Sequence, residues 1–239
     1  MNKETDIQRQ YYAQTADLYD QTHTQQEQEH ILALHLLASY IEFYKIRSIL
    51  DVGAGTGRTI LWLKHRFPKL IIHGIEPVKE LCDQAYRKGI SPSELVHGDG
   101  YNIPFSDNSF DMVCEFAVLH HVKKPGKVVQ EMSRVASHMI CISDCNFMGQ
   151  GLPLVRLLKY LIFSIGLWKF ADWLKTKGRG YTISEEDGLA YSYSVYQNLS
   201  TLNKFWKTIR LLTTNGDSDN YFGQVLAAKH LLLLAFNKK

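Results

Sequence analysis

The sequence predicts an α/β protein built on an open, doubly wound and mostly parallel sheet. Short apolar runs of β-like composition alternate with amphipathic stretches, the pattern of successive β and α units. The first run leads directly into a loop with three glycines at alternate positions, Gly53, Gly55 and Gly57. Glycine tolerates unusual backbone angles and allows close approach of a ligand to the chain. With 239 residues, the chain is long enough for one such domain with a substantial core.

Each element follows from the same patterns. Five apolar runs are predicted as strands, near residues 47–52, 70–75, 94–98, 110–114 and 138–143. Helical spacing of apolar residues predicts helices between them, at 59–64, 78–88 and 127–136. After the fifth strand an apolar segment with basic residues runs from 151 to 177, and two further apolar runs, 208–213 and 230–236, are predicted as closing strands.

Composition narrows the class of protein. The net charge of +3 is small and the basic residues are dispersed, so nothing supports nucleic-acid binding. The four cysteines lack a disulfide-like spacing, and residues 1–6 begin no apolar signal segment. We therefore expect a cytoplasmic protein.

The glycine loop carries the first functional signal. It reads Asp51-x-Gly53-x-Gly55-x-Gly57, whereas a dinucleotide fingerprint would place its third glycine at the position of Arg58. Glu76 follows the second predicted strand, about 20 residues further on, where a carboxylate can accept hydrogen bonds from ribose hydroxyls. NAD enzymes use such a carboxylate, so Glu76 alone does not distinguish NAD from another cofactor that contains a ribose.

Two later segments complete the pattern. Residues 95–105 contain Asp99, Gly100 and Tyr101 after the third strand, and residues 108–113 lead into the fourth. In this order the motifs resemble class I S-adenosylmethionine-dependent methyltransferases over roughly residues 10–145. The similarity is closest to the small-molecule subgroup that includes the ubiquinone and menaquinone methyltransferases (methyltransferase domain type 11). It implies a Rossmann-like seven-stranded sheet whose last strand is antiparallel.

The resemblance also implies a cofactor site for S-adenosylmethionine. It places the methionine end at the glycine loop and after the fourth strand, at Asp51, Gly53, Ala54, Gly55, Gly57, Glu115 and Phe116. It places the ribose and adenine at Glu76, Pro77, Asp99, Gly100 and Tyr101. An N-terminal helical lid would carry Tyr12 and Tyr19, which share a helical face if that segment is continuous, although simple packing explains them as well.

Domain organisation follows from the same resemblance. We expect one methyltransferase domain over residues 1–239, with a lid at 1–45 and a cofactor-binding core at 46–145. An insertion or substrate cap would occupy 146–205, and closing strands 206–239. A Leu-x-Pro-Gly-Gly turn usual in the subgroup is missing before the fifth strand, so a tighter turn is expected there.

His120 and His121 are the candidate bases, because they follow the fourth strand, where the resemblance places the methyl group. Imidazole suits proton removal near neutral pH, yet methyl transfer needs a base only when the acceptor must lose a proton. Adjacent helical residues point about 100° apart, so we expect at most one histidine to face the site, with a slight preference for His120. Ordinary packing or hydrogen bonding of these histidines is the alternative.

The apolar segment 151–177 has two interpretations. Its uncharged run from Tyr160 to Trp168 is too short for a membrane span, which needs ~20 residues. It is either an ordinary cap helix packed on the domain, or a hydrophobic lid that accepts an apolar substrate or touches a membrane surface.

Other functions remain open at this point. An NAD-dependent oxidoreductase is disfavoured by the glycine spacing and by the segment around Asp99, and a non-catalytic S-adenosylmethionine-binding partner subunit is a further alternative. No metal site is expected, because His138 and Cys141 face opposite sides of a predicted strand and no paired C-x-x-C accompanies Cys145. The expected partner is a small-molecule acceptor.

Overall fold

The computed structural model describes residues 3–20, 28–185, 187–215 and 227–239. The strands are β1 Ser48–Val52, β2 Ile71–Glu76, β3 Leu95–His97, β4 Phe110–Phe116, β5 Ala136–Cys145, β6 Thr182–Ser184, β7 Gly188–Ala190, β8 Trp206–Asn215 and β9 His230–Lys238. The helices are α1 Lys3–Thr15, α2 Gln28–Tyr44, α3 Arg58–Arg66, α4 Lys79–Arg87, α5 Pro125–Val135, α6 Pro153–Ser164, α7 Trp168–Lys175 and α8 Leu199–Phe205.

Seven strands form one sheet in the order β3-β2-β1-β4-β5-β9-β8. The first five are parallel to their neighbours, whereas β9 lies antiparallel between β5 and β8. The Rossmann-like sheet with an antiparallel last strand is therefore confirmed. Strand order reverses between β1 and β4, and in such sheets ligands bind beyond the carboxyl ends of the strands at this switch point.

The sheet is buried on both faces, and neighbouring residues of one strand serve opposite faces. In β1, Ile49 packs in the core cluster formed with α2, α3 and α4, while Leu50 packs in the cluster formed with α5 and α8. This explains why the central strands read as continuous apolar runs rather than as alternating ones. All four cysteines are free thiols.

The junction before the fifth strand is as tight as expected. Helix α5 ends at Val135 and β5 begins at Ala136, with no intervening loop. Pro125 starts this helix, where its missing N–H is not needed. β5 extends beyond the predicted 138–143 at both ends, which brings Asp144 to its carboxyl end.

The apolar segment does not form an ordinary packed cap helix. It folds into α6 and α7, and neither helix contains a buried residue. The later part of the predicted cap differs, because Leu189, Val195 and Leu202 are fully buried against the sheet layer. In the described part of the chain, no helix has the length and apolarity required to cross a membrane.

Candidate functional site

A cavity lies at the switch point, beyond the carboxyl ends of the parallel strands. Eleven of the predicted residues line it: Tyr12, Tyr19, Gly53, Gly55, Glu76, Pro77, Asp99, Gly100, Tyr101, Phe116 and His121. A smaller adjoining recess is lined by Asp51 and Ala54. Gly57, Glu115 and His120 line neither space.

The glycine loop is held by its own backbone. The amides of Gly53 and Ala54 both donate to the carbonyl of Ile75, at 2.8 and 3.0 Å, which fixes the loop against the end of β2. Gly57 caps α3 with a φ of 78°, and a Cβ there would lie 2.1 Å from Cδ1 of Ile90. Gly57 therefore shapes the loop through backbone conformation and packing rather than by lining the cavity.

Glu76 is a buried carboxylate, 4% exposed, on the cavity wall. It accepts hydrogen bonds from the amides of Gly55 and Val78, each at 2.9 Å. Burial raises the pKa of Glu76 to about 7, although these two amides and the charge of Arg9 act to lower it. The loop and the end of β2 thus hold this acid at a fixed position.

Asp51 is the most isolated acid of the site. It is 2% exposed, and its Oδ2 has no hydrogen-bond partner among the described residues. Cys114 Sγ donates to its Oδ1 at 3.8 Å. Burial raises the pKa of Asp51 to about 7, and the nearby charge of Glu76 raises it further. A buried carboxylate oxygen without a partner is costly, which marks this recess as a place for a donor or cation.

Asp99 is a further acid of the cavity wall. Its Oδ1 accepts from the amide of Tyr101 at 2.8 Å, and its Oδ2 forms an ion pair with Arg9 of α1. The hydroxyl of Tyr101 accepts from the amide of Lys124 at 3.1 Å, which fixes the ring. An aromatic ring beside a carboxylate suits a flat heterocycle that carries an amino group.

Glu115 and Phe116 end β4 with different roles. Phe116 lines both spaces, whereas Glu115 is fully buried, and one of its oxygens accepts from the amide of Val118 at 2.9 Å. Burial and the neighbouring charge of Asp144 raise the pKa of Glu115 well above its usual value. Its contribution is to position the segment after β4.

The two lid tyrosines both face the cavity, but not for the expected reason. Helix α1 ends at Thr15, so Tyr19 lies beyond it and shares no helical face with Tyr12. Their rings meet edge to face, with centroids 5.6 Å apart. The hydroxyl of Tyr12 lies 2.9 Å from Nε2 of His121.

The structure places His121, not the slightly preferred His120, in the cavity lining. His121 Nδ1 lies 2.7 Å from the carbonyl of Leu189, and its Nε2 faces the hydroxyl of Tyr12 and a carboxylate oxygen of Asp187. His120 instead bonds Asp144 through Nδ1 at 2.7 Å. The two rings lie against each other in the 3-10 turn Leu119–His121, with centroids 3.9 Å apart, and of the two His121 lines the cavity.

His120 forms a charge cluster with Asp144 and Asp187. Burial opposes its charged form, but the two carboxylates outweigh this and hold the pKa of His120 well above its usual value. Although burial acts in the other direction, His120 in turn lowers the pKa of Asp144 to about 2. His120 is therefore a cation near neutral pH, which makes it unsuited to accept a proton.

Among the described residues, two groups of side chains bring potential metal-ligand atoms within 4.8 Å of one another. One group is His120, His121 and Asp187, and the other is His120, Asp144 and Cys145. The ion pairs of His120 use the same atoms, so this geometry has an explanation without a metal. His138 and Cys141 differ in exposure as expected for opposite sides of β5, and a protein without a metal stays our prediction.

Three important residues were missed by sequence reasoning. Arg9 reaches Asp99 from 90 positions away, and Asp144 and Asp187 reach His120 from 24 and 67 positions away. A signal existed for Asp144, because an acid at the carboxyl end of a fifth parallel strand lies at the ligand-binding edge. Arg9 and Asp187 stand in no motif that could have indicated them.

Comparisons with known proteins agree with this geometry. Residues 50–138 match the family model described as a methyltransferase domain. An uncharacterized methyltransferase of Schizosaccharomyces pombe is 32% identical over 162 residues, which are 62% of this chain and 56% of that protein. A demethylmenaquinone methyltransferase of Thermotoga maritima is 31% identical over 87 residues, 36% of this chain and 38% of that protein. The chain thus spans about half or less of these relatives.

Solved structures show the same fold. A magnesium protoporphyrin IX methyltransferase from Synechocystis, solved with S-adenosylhomocysteine, has a TM-score of 0.63 at 13% identity and covers 98% of this chain and 100% of its own. An S-adenosylmethionine-dependent methyltransferase from Thermotoga maritima has a TM-score of 0.61 at 15% identity, covering 95% and 98%. Sheet order, glycine loop and family match together show that this chain carries a domain of the class I S-adenosylmethionine-dependent methyltransferase family, whose cofactor is S-adenosylmethionine.

Proposed function

We propose that the chain is an active enzyme that transfers the methyl group of S-adenosylmethionine to an oxygen, nitrogen or carbon of a small, apolar acceptor. One observation carries this proposal. The cavity at the switch point and its adjoining recess hold three acids at separate positions, Asp51, Glu76 and Asp99, and the buried Asp51 has an oxygen without a partner among the described residues. These positions match an elongated ligand with an ammonium group at one end, hydroxyls in the middle and an amino-substituted ring at the other.

The residues fit that ligand by their chemistry. Asp51, with its unpartnered buried oxygen, would take the ammonium group of the methionine part beside Gly53 and Ala54. Glu76 would accept from the ribose hydroxyls, since charge-assisted hydrogen bonds are the strong ones. Asp99 and Tyr101 would border the adenine, and the ion pair between Arg9 and Asp99 would break when the adenine binds.

The chemistry asks little of any single side chain. The bound cofactor supplies an electrophilic methyl carbon on a sulfonium, so the acceptor attacks in line as the carbon–sulfur bond breaks. The protein must hold the acceptor at near-attack distance and exclude water, which can supply ~7 to 11 kcal/mol of the barrier. The aromatic rings of Tyr12 and Tyr19 over the cavity suit a positive charge beneath them.

His121 is the proposed proton acceptor for an acceptor that must lose a proton. Its Nε2 faces the hydroxyl of Tyr12 at the cavity wall, so a proton can reach it directly or through that hydroxyl. We assign His120 a positioning role, because its cation holds Asp144 and Asp187 together beneath the histidine pair.

The apolar character of the acceptor rests on the rest of the lining. Beside the polar residues, which also include Thr5, Gln8 and Lys123, the cavity wall has five aliphatic side chains, namely Val52, Leu81, Val118, Val122 and Val128. An apolar acceptor gains affinity from burial against such a wall.

Two other functions make different predictions. An NAD-dependent oxidoreductase is disfavoured by the family match. A non-catalytic S-adenosylmethionine-binding subunit would bind the cofactor equally well but would not produce S-adenosylhomocysteine.

Calorimetric titration tests the cofactor part of the proposal. We expect S-adenosylmethionine and S-adenosylhomocysteine to bind and NAD not to bind. Glu76→Gln should weaken both by ~2 kcal/mol or more, because charged hydrogen bonds to the ribose are lost. Asp83→Asn, which changes an exposed acid paired with Lys79, is the matched control. Tighter binding of NAD than of S-adenosylmethionine, or equal affinity of Glu76→Gln and Asp83→Asn for S-adenosylmethionine, would refute the assignment.

A screen of apolar alcohols, phenols and amines then tests catalysis. Production of S-adenosylhomocysteine with one of them identifies the acceptor class. Cofactor binding without turnover for any acceptor, including one extracted from the source cell, favours the non-catalytic subunit.

A further inference from the structure

Helices α6 and α7 present an unusually large apolar surface to solvent. We call residues 152–179 the apolar hairpin. Its exposed apolar side chains are large: Leu152, Leu154, Val155, Leu157, Leu158, Leu161, Ile165, Leu167, Phe170, Trp173 and Leu174. Leu154 is 77% exposed and Phe170 is 60% exposed. A contiguous patch of this kind on a protein surface marks an interaction site.

The spacing of these side chains defines one face on each helix. In α6, Leu154, Leu157, Leu158 and Leu161 recur three or four positions apart and so share a face. In α7, Phe170, Trp173 and Leu174 do the same, and the rings of Phe170 and Trp173 stack at 6.3 Å. Each helix is amphipathic, and its apolar side is the one turned away from the domain.

The opposite sides of the helices attach the hairpin firmly to the protein. Lys159 donates to the carbonyls of Phe147 and Gln150, at 3.0 and 2.9 Å. Lys159 and Lys175 lie over the ring of Phe147, at 3.9 and 4.0 Å from its centroid. Lys175 also donates to the hydroxyl of Ser192 at 3.1 Å. The outward apolar face is therefore held in place by the fold.

The charge of the hairpin identifies its partner. Residues 152–179 contain six basic residues and one acid, Asp172, so they carry a net charge of +5, while the whole chain carries +3. The rest of the chain is therefore slightly acidic. Because Lys159 and Lys175 lie on the attached side, the exposed Lys169, Lys177 and Arg179 supply the positive charge available beside the apolar face. Apolar helices with Trp, Phe and Leu on one side and Lys or Arg on the other are typical of binding in the plane of a membrane interface, and basic clusters favour anionic lipids.

We propose that the apolar hairpin docks the protein on an anionic phospholipid surface, with α6 and α7 lying in the interface plane. A second copy of the chain is a poorer occupant, because a face-to-face dimer would bring two basic surfaces together. The helices have 12 and 8 residues, so they lie on the bilayer and do not cross it.

The hairpin also adjoins the candidate active site. It begins shortly after the carboxyl end of β5. Lys175 donates to Ser192, and the amide of the preceding residue, Tyr191, donates to the carbonyl of His120 at 2.8 Å. A membrane-docked hairpin would hold the cavity end of the sheet near the bilayer. If the proposed function is correct, an acceptor dissolved in the membrane would have a short path to the cavity.

Co-sedimentation with vesicles tests the docking directly, without reference to catalysis. The wild-type protein should bind vesicles of phosphatidylcholine with phosphatidylglycerol at least ~tenfold more tightly than vesicles of phosphatidylcholine alone, and high salt should reduce the difference. The triple variant Leu161→Ser, Phe170→Ser, Trp173→Ser should lose at least ~tenfold in binding.

A matched control separates docking from folding. Phe43 is 78% exposed on α2, far from the hairpin in sequence, so Phe43→Ser removes an even more exposed ring and should leave vesicle binding unchanged. Both variants should keep the wild-type melting temperature, because no changed side chain is buried. Charge reversal at the exposed Lys169 and Lys177 should weaken binding to anionic vesicles only.

Three results would overturn the proposal. Wild-type protein that does not sediment with anionic vesicles, or a triple variant that binds as tightly as wild type, would each reject it. A wild-type dimer that the triple variant converts to a monomer, without vesicle binding by either, would assign the surface to self-association instead.

Discussion

Replacement of Asp51 by asparagine should stabilise the unliganded protein at alkaline pH and weaken cofactor binding. Asp51 is 2% exposed, its Oδ2 has no partner among the described residues, and burial raises its pKa to about 7. An ionised carboxylate in this recess therefore costs free energy, which the charge of Arg58 on the recess wall offsets only in part and a bound cation would offset further. Asparagine keeps the shape and cannot ionise.

The size of the effect follows from linkage. A raised folded-state pKa means that the unfolded chain releases the proton first, so stability falls as pH rises from the unfolded pKa of 3.8 towards about 7. Between about pH 5 and about pH 8, Asp51 should account for a loss of roughly 2 to 3 kcal/mol. The free-energy cost of burying the asparagine side chain does not depend on pH, so it cancels when the stabilities at the two pH values are compared.

Urea denaturation at the two pH values measures this quantity. Relative to wild type, Asp51→Asn should gain roughly 2 to 3 kcal/mol of unfolding free energy on going from about pH 5 to about pH 8. The same variant should bind S-adenosylmethionine about ten- to a hundredfold more weakly, since a charged hydrogen bond is lost. A stability difference that does not change with pH, or unchanged cofactor affinity, would refute the reasoning.

Three further changes test the loop and the histidine pair. Gly57→Ala should destabilise the protein by roughly 2 to 4 kcal/mol, because it places a Cβ at a left-handed φ and 2.1 Å from Ile90 Cδ1. Adding Ile90→Val to this variant should restore part of the lost stability, measured by thermal denaturation. Full additivity of the two changes would contradict the contact. His120→Gln should cost roughly 3 kcal/mol of unfolding free energy, because it leaves Asp144 without its cation. Urea denaturation should show this loss in full between about pH 4 and pH 6.5, and the loss should shrink as pH rises further. This window follows because folding raises the pKa of His120 and lowers that of Asp144. His121→Gln should cost about 1 kcal/mol of stability, less than His120→Gln, because its hydrogen bonds to Leu189 and Tyr12 are lost or weakened. It should slow turnover of a proton-bearing acceptor by roughly a hundredfold or more, with a changed pH profile, and normal turnover would remove His121 from the mechanism.

The cofactor half of the site was predictable because it is encoded locally. Gly53, Gly55 and Glu76 lie at the ends of two adjacent parallel strands, and parallel strands bring their carboxyl ends to one edge. Strand-to-loop order along the sequence is therefore enough to bring these residues together.

The histidine side of the site was not predictable to the same degree. Which of His120 and His121 faces the cavity depends on a 3-10 turn and on acids far along the chain, Asp144 and Asp187. The Arg9–Asp99 pair likewise depends on how α1 docks. Such contacts follow from tertiary packing and leave no periodic signal.

The hairpin shows a third case. Helical spacing in 154–161 indicates which side of α6 is apolar, but spacing cannot indicate whether that side meets the protein core or solvent. The ordinary packed cap was the simpler expectation, and the exposed face corrected it.

The structure of the S-adenosylhomocysteine complex tests the central claim most directly. We predict that its ribose hydroxyls donate to the carboxylate of Glu76, that its amino group lies at Asp51 Oδ2, and that its adenine lies beside Asp99 and Tyr101 in place of the Arg9 contact. A ligand bound elsewhere, or one whose ribose does not reach Glu76, would contradict the account.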